Sequence, residues 1–199
     1  NRWLTEEGQL IVPKIVERLK KGQKLRPVLK KVSFIEDSIY SDLRGIDFSH
    51  LKLENVVLED MDLSYTSFHS SLLTNVRFYR CDFHYSDLRS SQFINARLSN
   101  ARFVNCDLQS VHFTDTYLLE TLFQESIAEK SQFTRCQWMY SQAIDCNFQQ
   151  MHFQDGVIKG LIENTDFSRN HFDNVTFKNA QLKTSNFEQA TFNRTILHK

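Results

Sequence analysis

The sequence predicts an all-β solenoid preceded by a short α-helical cap, and three observations favour this fold class. All 17 phenylalanines of the 199-residue chain fall at the same position of a five-residue period. A small residue usually stands two positions before that repeat centre. Glycine and proline together supply only seven residues, well below the ~12% of an average chain, so ordinary glycine and proline turns do not organise this fold.

The five-residue period runs through most of the chain. Repeat centres lie five residues apart from Leu43 to Ile158, which makes 24 pentads. One residue is missing before Ile162, and eight more pentads follow to Leu197. Two imperfect pentads come earlier and bring the total to 34; they are centred on Phe34 and Ile39. A fixed period of this extent indicates a repeat architecture.

The spacing explains how such a period folds. In an extended chain, residues two apart point to the same side, so the repeat centre and the small residue before it face inward. A period of five fits neither a helix of 3.6 residues per turn nor an alternating strand. It fits a short extended side followed by a corner. Coils of this kind stack, and each adds about 4.8 Å of height through backbone hydrogen bonds.

Several pentads share a specific pattern: a small residue, then Asp or Asn, then Leu or Phe, then two variable positions. The best matches are Cys81–Phe83, Ser86–Leu88, Cys106–Leu108, Cys146–Phe148 and Ser185–Phe187. In this pattern the chain resembles the pentapeptide-repeat family over about residues 32–199. The resemblance implies a right-handed square β-helix with four pentads per coil, so the 34 pentads make about 8 coils.

Residues 1–31 lack the period and are predicted to form an N-terminal helical cap, which leaves 32–199 as the β-helix domain. A short amphipathic helix is expected to start at Pro13 and to end before Gly22, the usual positions of these residues at helix termini. Its apolar stripe is Ile11, Ile15, Val16 and Leu19. The expected role is to cover the first coil, whose inner residues are unusually bulky: Ile46, Leu51, Val56 and Met61.

Charge and composition argue against several function classes. The 24 basic and 24 acidic side chains cancel, which disfavours direct binding of nucleic acid. The cap segment carries nine basic and three acidic side chains, so a membrane or nucleic-acid role for the cap is a weaker alternative to simple solvation. No apolar run reaches the ~20 residues of a membrane span. Phosphate-loop, dinucleotide, zinc-protease and hydrolase motifs are absent, so we expect no catalysis and no cofactor.

A histidine pair is the one arrangement that suggests a metal. His112, His152 and His171 fall at equivalent outward positions, with Asp155 and Asp173 nearby. In a four-pentad coil, His152 and His171 lie on adjacent coils, about one strand spacing apart. A metal could use such a pair. Exposed His and Asp are ordinary on a polar repeat face, so we predict no metal site.

The four cysteines all occupy the small inner position: Cys81, Cys106, Cys136 and Cys146. A buried thiol there acts as a small apolar side chain, so we expect unpaired cysteines and a cytoplasmic setting. The start at Asn1 suggests a fragment of a larger bacterial protein, or of a secreted effector that acts in a host cytosol. The uncapped coil at Leu197 predicts continuation of the chain, which we favour, or a homodimer through the C-terminal end.

Aspartates precede several repeat centres in the N-terminal half and are expected to stack on two neighbouring sides: Asp42, Asp47, Asp62, Asp82, Asp87 and Asp107. Some members of the family that the chain resembles imitate DNA and bind bacterial type II topoisomerases, which protects these enzymes from quinolones. The resemblance therefore implies an alternative function, a DNA-mimicking inhibitor or protector of topoisomerase. Asp also belongs to the repeat pattern itself, and the zero net charge weakens this alternative.

Outward positions of the repeat are usually polar, but apolar residues are frequent at them between the pentads centred on Leu118 and Ile162. Nine of the 30 outward positions there are apolar, against eight of the other 66 after Asp42. A four-pentad coil places five of them on one side, namely Tyr117, Leu119, Met139, Tyr140 and Val157. Three lie on the next side, across a shared edge: Leu122, Ile144 and Leu161.

The first of these two sides is also the only net basic one, with Arg77, Arg97, Lys159 and Lys178 among its residues. Apolar and aromatic residues with a basic border are typical of interaction sites. Our main hypothesis is therefore a non-catalytic protein–protein interaction module with a rigid β-solenoid surface. The alternative is local irregularity, in which bulky Trp138 and the missing residue before Ile162 turn these side chains inward.

Overall fold

The computed structural model describes residues 2–23, 25–29 and 41–198. Over most of the solenoid, strands that pair are parallel and offset by four pentads, so that Lys52 lies opposite Leu72 and Leu72 opposite Gln92. One coil therefore contains four pentads, and the predicted all-β solenoid is confirmed. The early pentads at Phe34 and Ile39, and the predicted domain boundary between residues 31 and 32, lie outside the described residues.

The elements follow one another in a simple order. A 3-10 turn (Arg2–Leu4) precedes the helices α1 (Glu6–Lys20) and α2 (Arg26–Leu29). The strands are β1 (Ser41–Asp42), β2 (Lys52–Glu54), β3 (Val57–Glu59), β4 (Met61–Asp62), β5 (Leu72–Thr74), β6 (Arg77–Tyr79), β7 (Gln92–Ile94), β8 (Arg102–Val104), β9 (His112–Thr114), β10 (Tyr117–Leu119), β11 (Leu122–Gln124), β12 (Gln132–Thr134), β13 (Gln137–Ile144), β14 (His152–Gln154), β15 (Val157–Glu163), β16 (His171–Asp173), β17 (Thr176–Lys178), β18 (Gln181–Lys183), β19 (Thr191–Asn193) and β20 (Ile196–His198).

Each coil has four faces, which we number by the ladder of repeat centres that each contains. Face 1 starts at Leu43, face 2 at Phe48, face 3 at Leu53 and face 4 at Leu58, and the chain passes from face 4 to face 1 of the next coil. Face 3 is the most regular, because eight strands from β2 to β19 form one parallel sheet. The chain makes about seven turns, which agrees with eight stacked strands on this face.

Helix α1 begins seven residues before the start predicted at Pro13, and that prediction is wrong. The cap is Thr5, whose hydroxyl accepts a hydrogen bond of 3.1 Å from the Gly8 N–H. Two glutamates in the first turn add a favourable interaction with the helix dipole. Pro13 lies inside the helix, where it cannot donate to the carbonyl of Gln9.

The end of α1 is where the sequence predicts it. Gly22 has a φ of 62°, a left-handed conformation that glycine adopts without strain. Its N–H donates to the Leu19 carbonyl at 3.1 Å, and the N–H of Gln23 donates to the Arg18 carbonyl at 2.8 Å. These two bonds satisfy carbonyls that a helix terminus otherwise leaves open.

The N-terminal helices cover the first coil, as expected. Helix α1 lies against β2, and α2 lies against β1. Ile15 and Leu19 are buried in one continuous core with Ile46 and Val56 of the first coil. Trp3 from the 3-10 turn joins the same core. The bulky inner residues of the first coil therefore supply the apolar surface on which the cap packs.

Left-handed backbone at one position of each pentad forms the corners. In the described solenoid, 29 non-glycine residues have φ between 47° and 62°, and each lies two positions after a repeat centre. This conformation is uncommon outside glycine and favours Asn and Asp, yet Tyr65, Arg80 and Glu120 also adopt it. Hydrogen bonds between coils hold it in place: the N–H of corner residue Asn75, for example, donates to the Ile94 carbonyl at 2.9 Å.

The interior consists of stacked side chains. On face 1, the ring centroids of Phe83 and Phe103 are 4.7 Å apart, and those of Phe103 and Phe123 are 5.0 Å apart. Several small inner residues with a hydroxyl donate to buried carbonyls of the preceding coil, as Ser126 does to Phe103 at 3.0 Å. Small inner residues therefore leave room for the aromatic centres, and those with a donor group also satisfy backbone acceptors.

The missing residue before Ile162 is accommodated by Gly160. In the pairing of β13 with β15, Met139 lies opposite Lys159 and Ser141 opposite Gly160, so Tyr140 bulges out without a partner. Gly160 has a φ of 149°, and a Cβ atom there would lie 1.9 Å from the Ser141 carbonyl oxygen. Only glycine fits this position, and both strands run from face 4 into face 1 without a break.

Candidate functional site

The apolar patch predicted on faces 4 and 1 is present on the solenoid surface. On face 4, Tyr117 of β10 lies opposite Gln137, which in turn lies opposite Val157. Leu119 lies opposite Met139 in the same way. Tyr117, Leu119 and Tyr140 are exposed, with 51%, 40% and 56% of their surface accessible. Met139 and Val157 are half-buried.

The face 1 part of the patch adjoins the face 4 part. Leu122 and Leu161 both pair with Gln142 of β13, and Ile144 ends the same strand. All three apolar side chains are half-buried. Because β13 and β15 continue around the edge, the two groups of residues form one surface on a common rigid support. We call the eight residues the apolar patch: Tyr117, Leu119, Leu122, Met139, Tyr140, Ile144, Val157 and Leu161.

Trp138 does not turn the patch inward. Its own side chain is buried and stacks on Phe123 with ring centroids 5.1 Å apart. Two nearby repeat centres are small, Ala128 on the opposite face of the same coil and Ala143 in the next pentad, so the indole occupies space that larger centres would fill. Tyr117 and Tyr140 remain outside, and the alternative of local irregularity is wrong for these two residues.

Cations lie beside the tyrosines of the patch. The Lys159 ammonium is 4.0 Å from the ring centroid of Tyr140 and donates a 2.8 Å hydrogen bond to its hydroxyl. This hydrogen bond, with the charge of Lys159, lowers the pKa of Tyr140. The Arg97 guanidinium lies 5.9 Å from the ring centroid of Tyr117. Such cation–π contacts hold aromatic side chains in defined orientations.

One basic residue of face 4 is neutralised and others are not. Arg80 forms two hydrogen bonds of 2.5 and 2.6 Å with Asp60 on the preceding coil, and this contact raises the pKa of Arg80 and lowers that of Asp60. Within residues 2–23, 25–29 and 41–198, Arg77, Arg97 and Lys178 form no ion pair. The border of the apolar patch therefore retains uncompensated positive charge.

The aspartates of the alternative site stack on two neighbouring faces, as predicted. On face 1, Asp42 lies opposite Asp62, and Asp62 opposite Asp82. On face 2, Asp87 lies opposite Asp107, whereas Ser67 separates Asp47 from Asp87.

Each of these aspartates has a structural role in its own turn. In all six, one carboxylate oxygen accepts the N–H of the residue two positions later, at 2.8 to 3.1 Å. Arg89 pairs with Asp87 at 2.7 Å and lies 3.6 Å from Asp107. The carboxylates therefore stabilise the turns and are partly neutralised, which explains Asp at this position without any partner.

Asp42 is not available to a partner, which corrects its prediction as a surface residue of the DNA mimic. Only 3% of it is accessible, because Arg2 of the N-terminal turn covers it and donates two hydrogen bonds of 2.6 Å to its carboxylate. Arg44 adds further bonds of 3.0 and 3.1 Å. The sequence gives no sign of this contact, because Arg2 lies far from Asp42 along the chain and outside the repeat.

The histidine pair on face 3 lies where the sequence places it. His152 is opposite His171, with ring centroids 6.2 Å apart in an edge-to-face arrangement. Gln132 separates His112 from His152, and the Nδ1 atom of His171 shares a 2.6 Å hydrogen bond with the Thr191 hydroxyl. In the part of the chain that the structure describes, no group of three or more metal-binding side chains comes together.

Sequence reasoning missed a second aromatic surface. Tyr65 and Tyr85 stack at the edge of faces 1 and 2 with ring centroids 5.2 Å apart, and His84 packs against Tyr85 at 4.6 Å. The two tyrosines are 62% and 51% accessible. The two tyrosines are separated along the chain by one coil of four pentads, and this spacing could have predicted that they stack.

At the C-terminal end, three of the four repeat centres of the last described coil are exposed, and the fourth, Phe187, is half-buried. Leu182, Phe192 and Leu197 are all exposed, whereas the same ladder positions in earlier coils are buried.

Among the described helices, none combines the length and the apolar character needed to cross a membrane.

The cysteines lie in the inner position, as predicted. All four are free and buried, and Cys136 and Cys146 belong to faces 4 and 2, on opposite sides of the coil. Burial raises the pKa of each thiol to about 12. Cys106 also donates a 2.7 Å hydrogen bond from its Sγ atom to the Phe83 carbonyl.

Comparison with solved structures finds repeat solenoids. HetL, a pentapeptide repeat protein involved in heterocyst differentiation regulation in the cyanobacterium Nostoc, is 13% identical over 74% of this chain and 87% of its own, with a TM-score of 0.44. QnrB1, a plasmid-mediated fluoroquinolone resistance protein, is 15% identical over 76% of this chain and 90% of its own, with a TM-score of 0.34. A sequence comparison with curated proteins gave no match.

Family models match most of the solenoid. The model of a pentapeptide repeat region matches residues 86–162 and 107–187. The model of pentapeptide repeats in eight copies matches residues 41–78 and 63–100. These matches cover the coils whose register and corners are described above, and the chain belongs to the pentapeptide repeat family.

Proposed function

We propose that this chain is a non-catalytic protein-interaction module and that the apolar patch is its binding surface. The observation that carries the proposal is the clustering of three exposed side chains, Tyr117, Leu119 and Tyr140, with five half-buried apolar side chains on two adjoining faces. Tyrosine is enriched among the residues that dominate binding energy. Pentapeptide repeat proteins are generally structural or interaction proteins, and the proposal agrees with this.

The rigidity of the patch supports the proposal. Its residues lie on or beside β10, β11, β13 and β15, which are hydrogen-bonded to the coils above and below. A side chain that is already ordered loses little conformational entropy when a partner binds. The cation contacts at Tyr117 and Tyr140 add to this order.

The proposal extends to the setting of the protein. The four free, buried cysteines suit a reducing compartment, which supports a cytoplasmic location, including a host cytosol if the chain belongs to a secreted effector. A recognition domain of a larger bacterial protein is the role that we favour. The homodimer through the C-terminal end stays a prediction.

The test is quantitative capture of proteins from the native host by wild-type protein and two variants. The patch variant carries Tyr117→Ala, Met139→Glu and Tyr140→Ala. The control variant carries His112→Ala, Thr134→Glu and Arg135→Ala, which are the equivalent pentad positions one face earlier. Circular dichroism and the thermal midpoint establish that both variants fold. We expect partners bound by wild type and control and lost by the patch variant; equal capture by all three would remove the patch from consideration.

A second candidate function, inhibition or protection of a type II topoisomerase, is favoured by one observation: the stacked carboxylates of Asp62, Asp82, Asp87 and Asp107. A gyrase supercoiling assay tests it. Inhibition by stoichiometric wild-type protein that is lost on Asp82→Asn and Asp87→Asn would support this function. Supercoiling that continues unchanged would leave the interaction module as the sole proposal.

A further inference from the structure

The charges on face 4 are placed at the two ends of the apolar patch. Toward the N-terminus, Arg77 lies opposite Arg97, and Arg97 lies opposite Tyr117. Toward the C-terminus, Lys159 lies on β15 and Lys178 on the adjacent strand β17. Arg77, Arg97 and Lys178 are exposed, and Lys159 is half-buried. The apolar patch thus lies between two basic groups along the solenoid axis.

The two arginines are neighbours of like charge. Residues directly opposite on paired strands are close enough for like charges to be unfavourable, and neither Arg77 nor Arg97 has an acidic partner among the residues that the structure describes. Carboxylates from a binding partner would relieve this repulsion and could accept paired hydrogen bonds from each guanidinium. The arrangement therefore favours a partner that brings acidic groups to this end of the patch.

The centre of this surface, between the two basic groups, carries no basic side chain. Between the basic ends, the outward side chains of face 4 are Tyr117, Leu119, Glu120, Gln137, Met139 and Tyr140. None is basic, and one is an acid. A nucleic-acid backbone, which carries a phosphate at every nucleotide, would find no cation along this central stretch. Apolar side chains of a peptide fit it better.

The spacing of the strands sets the length of the ligand. From the Arg77 row to the Lys178 row there are five strand spacings, about 24 Å at ~4.8 Å each, which an extended peptide of about seven residues spans at ~3.3 Å per residue. We infer that the partner contributes an extended segment of about seven residues, with Asp or Glu near both ends and apolar or aromatic residues in its centre. This inference rests on the proposed function, because it names the chemistry of the partner at the same surface.

The experiment uses a random 12-residue peptide display library selected on the immobilised full chain. Selected peptides are then measured, at low and at physiological salt, on three variants. The first is the patch variant described above. The second is Arg77→Glu with Arg97→Glu, which reverses the charge at one end of the patch. The third is Lys52→Glu with Arg169→Glu, which makes the same charge change on exposed residues of faces 3 and 2.

We expect the selection to enrich peptides that combine acidic and apolar residues. Their affinity should fall at least about tenfold on the Arg77 and Arg97 variant and should be lost on the patch variant. It should be unchanged on the Lys52 and Arg169 control. Their binding should weaken as salt rises. Neutral or basic peptides that depend on the patch but not on the arginines would overturn the acidic segment and leave the proposed function standing.

Two other outcomes also overturn the inference. One is a selection in which every selected peptide binds the patch variant as well as the wild type. Capture from the native host would then test the proposed function separately. The other is displacement of the selected peptides by a mixed-sequence 12-nucleotide single-stranded DNA at comparable concentration. That result would assign the basic ends to a nucleic-acid backbone.

Discussion

Arg2 reaches across 40 residues of sequence and places both of its terminal nitrogens 2.6 Å from the carboxylate of Asp42. The pair is almost fully buried, with side-chain accessibilities of 11% and 2%. Beside it, the indole nitrogen of Trp3 donates a 2.7 Å hydrogen bond to the Arg44 carbonyl. These contacts fasten the N-terminal turn to the first strand of the solenoid, and they make the attachment of the cap sensitive to protonation.

Acid should loosen this attachment. Burial opposes ionisation of Asp42 most strongly, but hydrogen bonds from Arg2 and Arg44 outweigh it and lower its pKa from 3.8 to about 2. Because the folded pKa lies below the unfolded one, the stabilisation is present above about pH 4 and is lost as the pH falls to about 2. The shift corresponds to about 2 kcal/mol of unfolding free energy.

Urea unfolding measured against pH, with Trp3 fluorescence in a Trp138→Phe background, tests this. We expect the difference in unfolding free energy between this protein and its Asp42→Asn derivative to shrink by about 2 kcal/mol between pH 5 and pH 2. A difference that stays constant over this range would show that Asp42 does not titrate as the Arg2 contact requires.

Gly160 should tolerate no side chain. A Cβ atom there would lie 1.9 Å from the Ser141 carbonyl oxygen, which is backbone and cannot move aside. We expect Gly160→Ala to destabilise the fold by more than about 3 kcal/mol or to prevent folding, as strain and overpacking combine.

The matched control for Gly160 is Gly22→Ala. Gly22 also has a positive φ, 62°, but its Cβ would meet nothing within 4 Å, so only the backbone strain of about 1 kcal/mol is expected. Similar shifts of the urea midpoint in the two variants would contradict the close approach of β13 and β15.

The corners should accept glycine and reject branched side chains. Asn105 has a φ of 54°, and its N–H donates to the Gln124 carbonyl at 2.9 Å. Asn105→Gly should change the unfolding free energy by less than about 1 kcal/mol, whereas Asn105→Val should cost about 1 to 2 kcal/mol more. Equal stability of the two variants would mean that the corner relaxes out of the left-handed conformation.

The buried cysteines should be unreactive in the folded state. Burial raises their pKa to about 12, and the thiolate is the reactive form. At pH 8, labelling by a thiol-specific disulfide reagent should be at least about 100-fold slower in native than in denatured protein. Labelling of all four thiols at the denatured rate would contradict their inward placement.

The five-residue period and the four pentads per coil implied by the family resemblance together predicted the register, in which each repeat centre stacks on the centre four pentads further along the chain. The period, combined with the four pentads per coil that the family resemblance implies, therefore assigns Tyr117 and Val157 to one face and Leu122 to the next. The half-burial of Met139 could not be predicted in this way, because it depends on which side chains lie on the strands above and below.

The five-residue pattern could not predict three other features, each for a different physical reason. Hydrogen bonds between coils impose the left-handed corners on residues such as Arg80, which carries no local turn preference, so composition gave no signal. The start of α1 depends on a side-chain cap at Thr5, while Pro13 is tolerated inside a helix that packs on the first coil. The burial of Asp42 depends on Arg2, a contact at long range in sequence.

Hydroxyl-radical footprinting of the protein alone and with a captured partner tests the central claim most directly, because four exposed tyrosines serve as comparable probes. Tyr117 and Tyr140 lie in the apolar patch, and Tyr65 and Tyr85 lie on a different edge with similar accessibility. We predict that the partner reduces oxidation of Tyr117 and Tyr140 several-fold and leaves Tyr65 and Tyr85 unchanged. Protection of Tyr65 and Tyr85, with Tyr117 and Tyr140 as reactive as before, would contradict the assignment of the apolar patch as the binding surface.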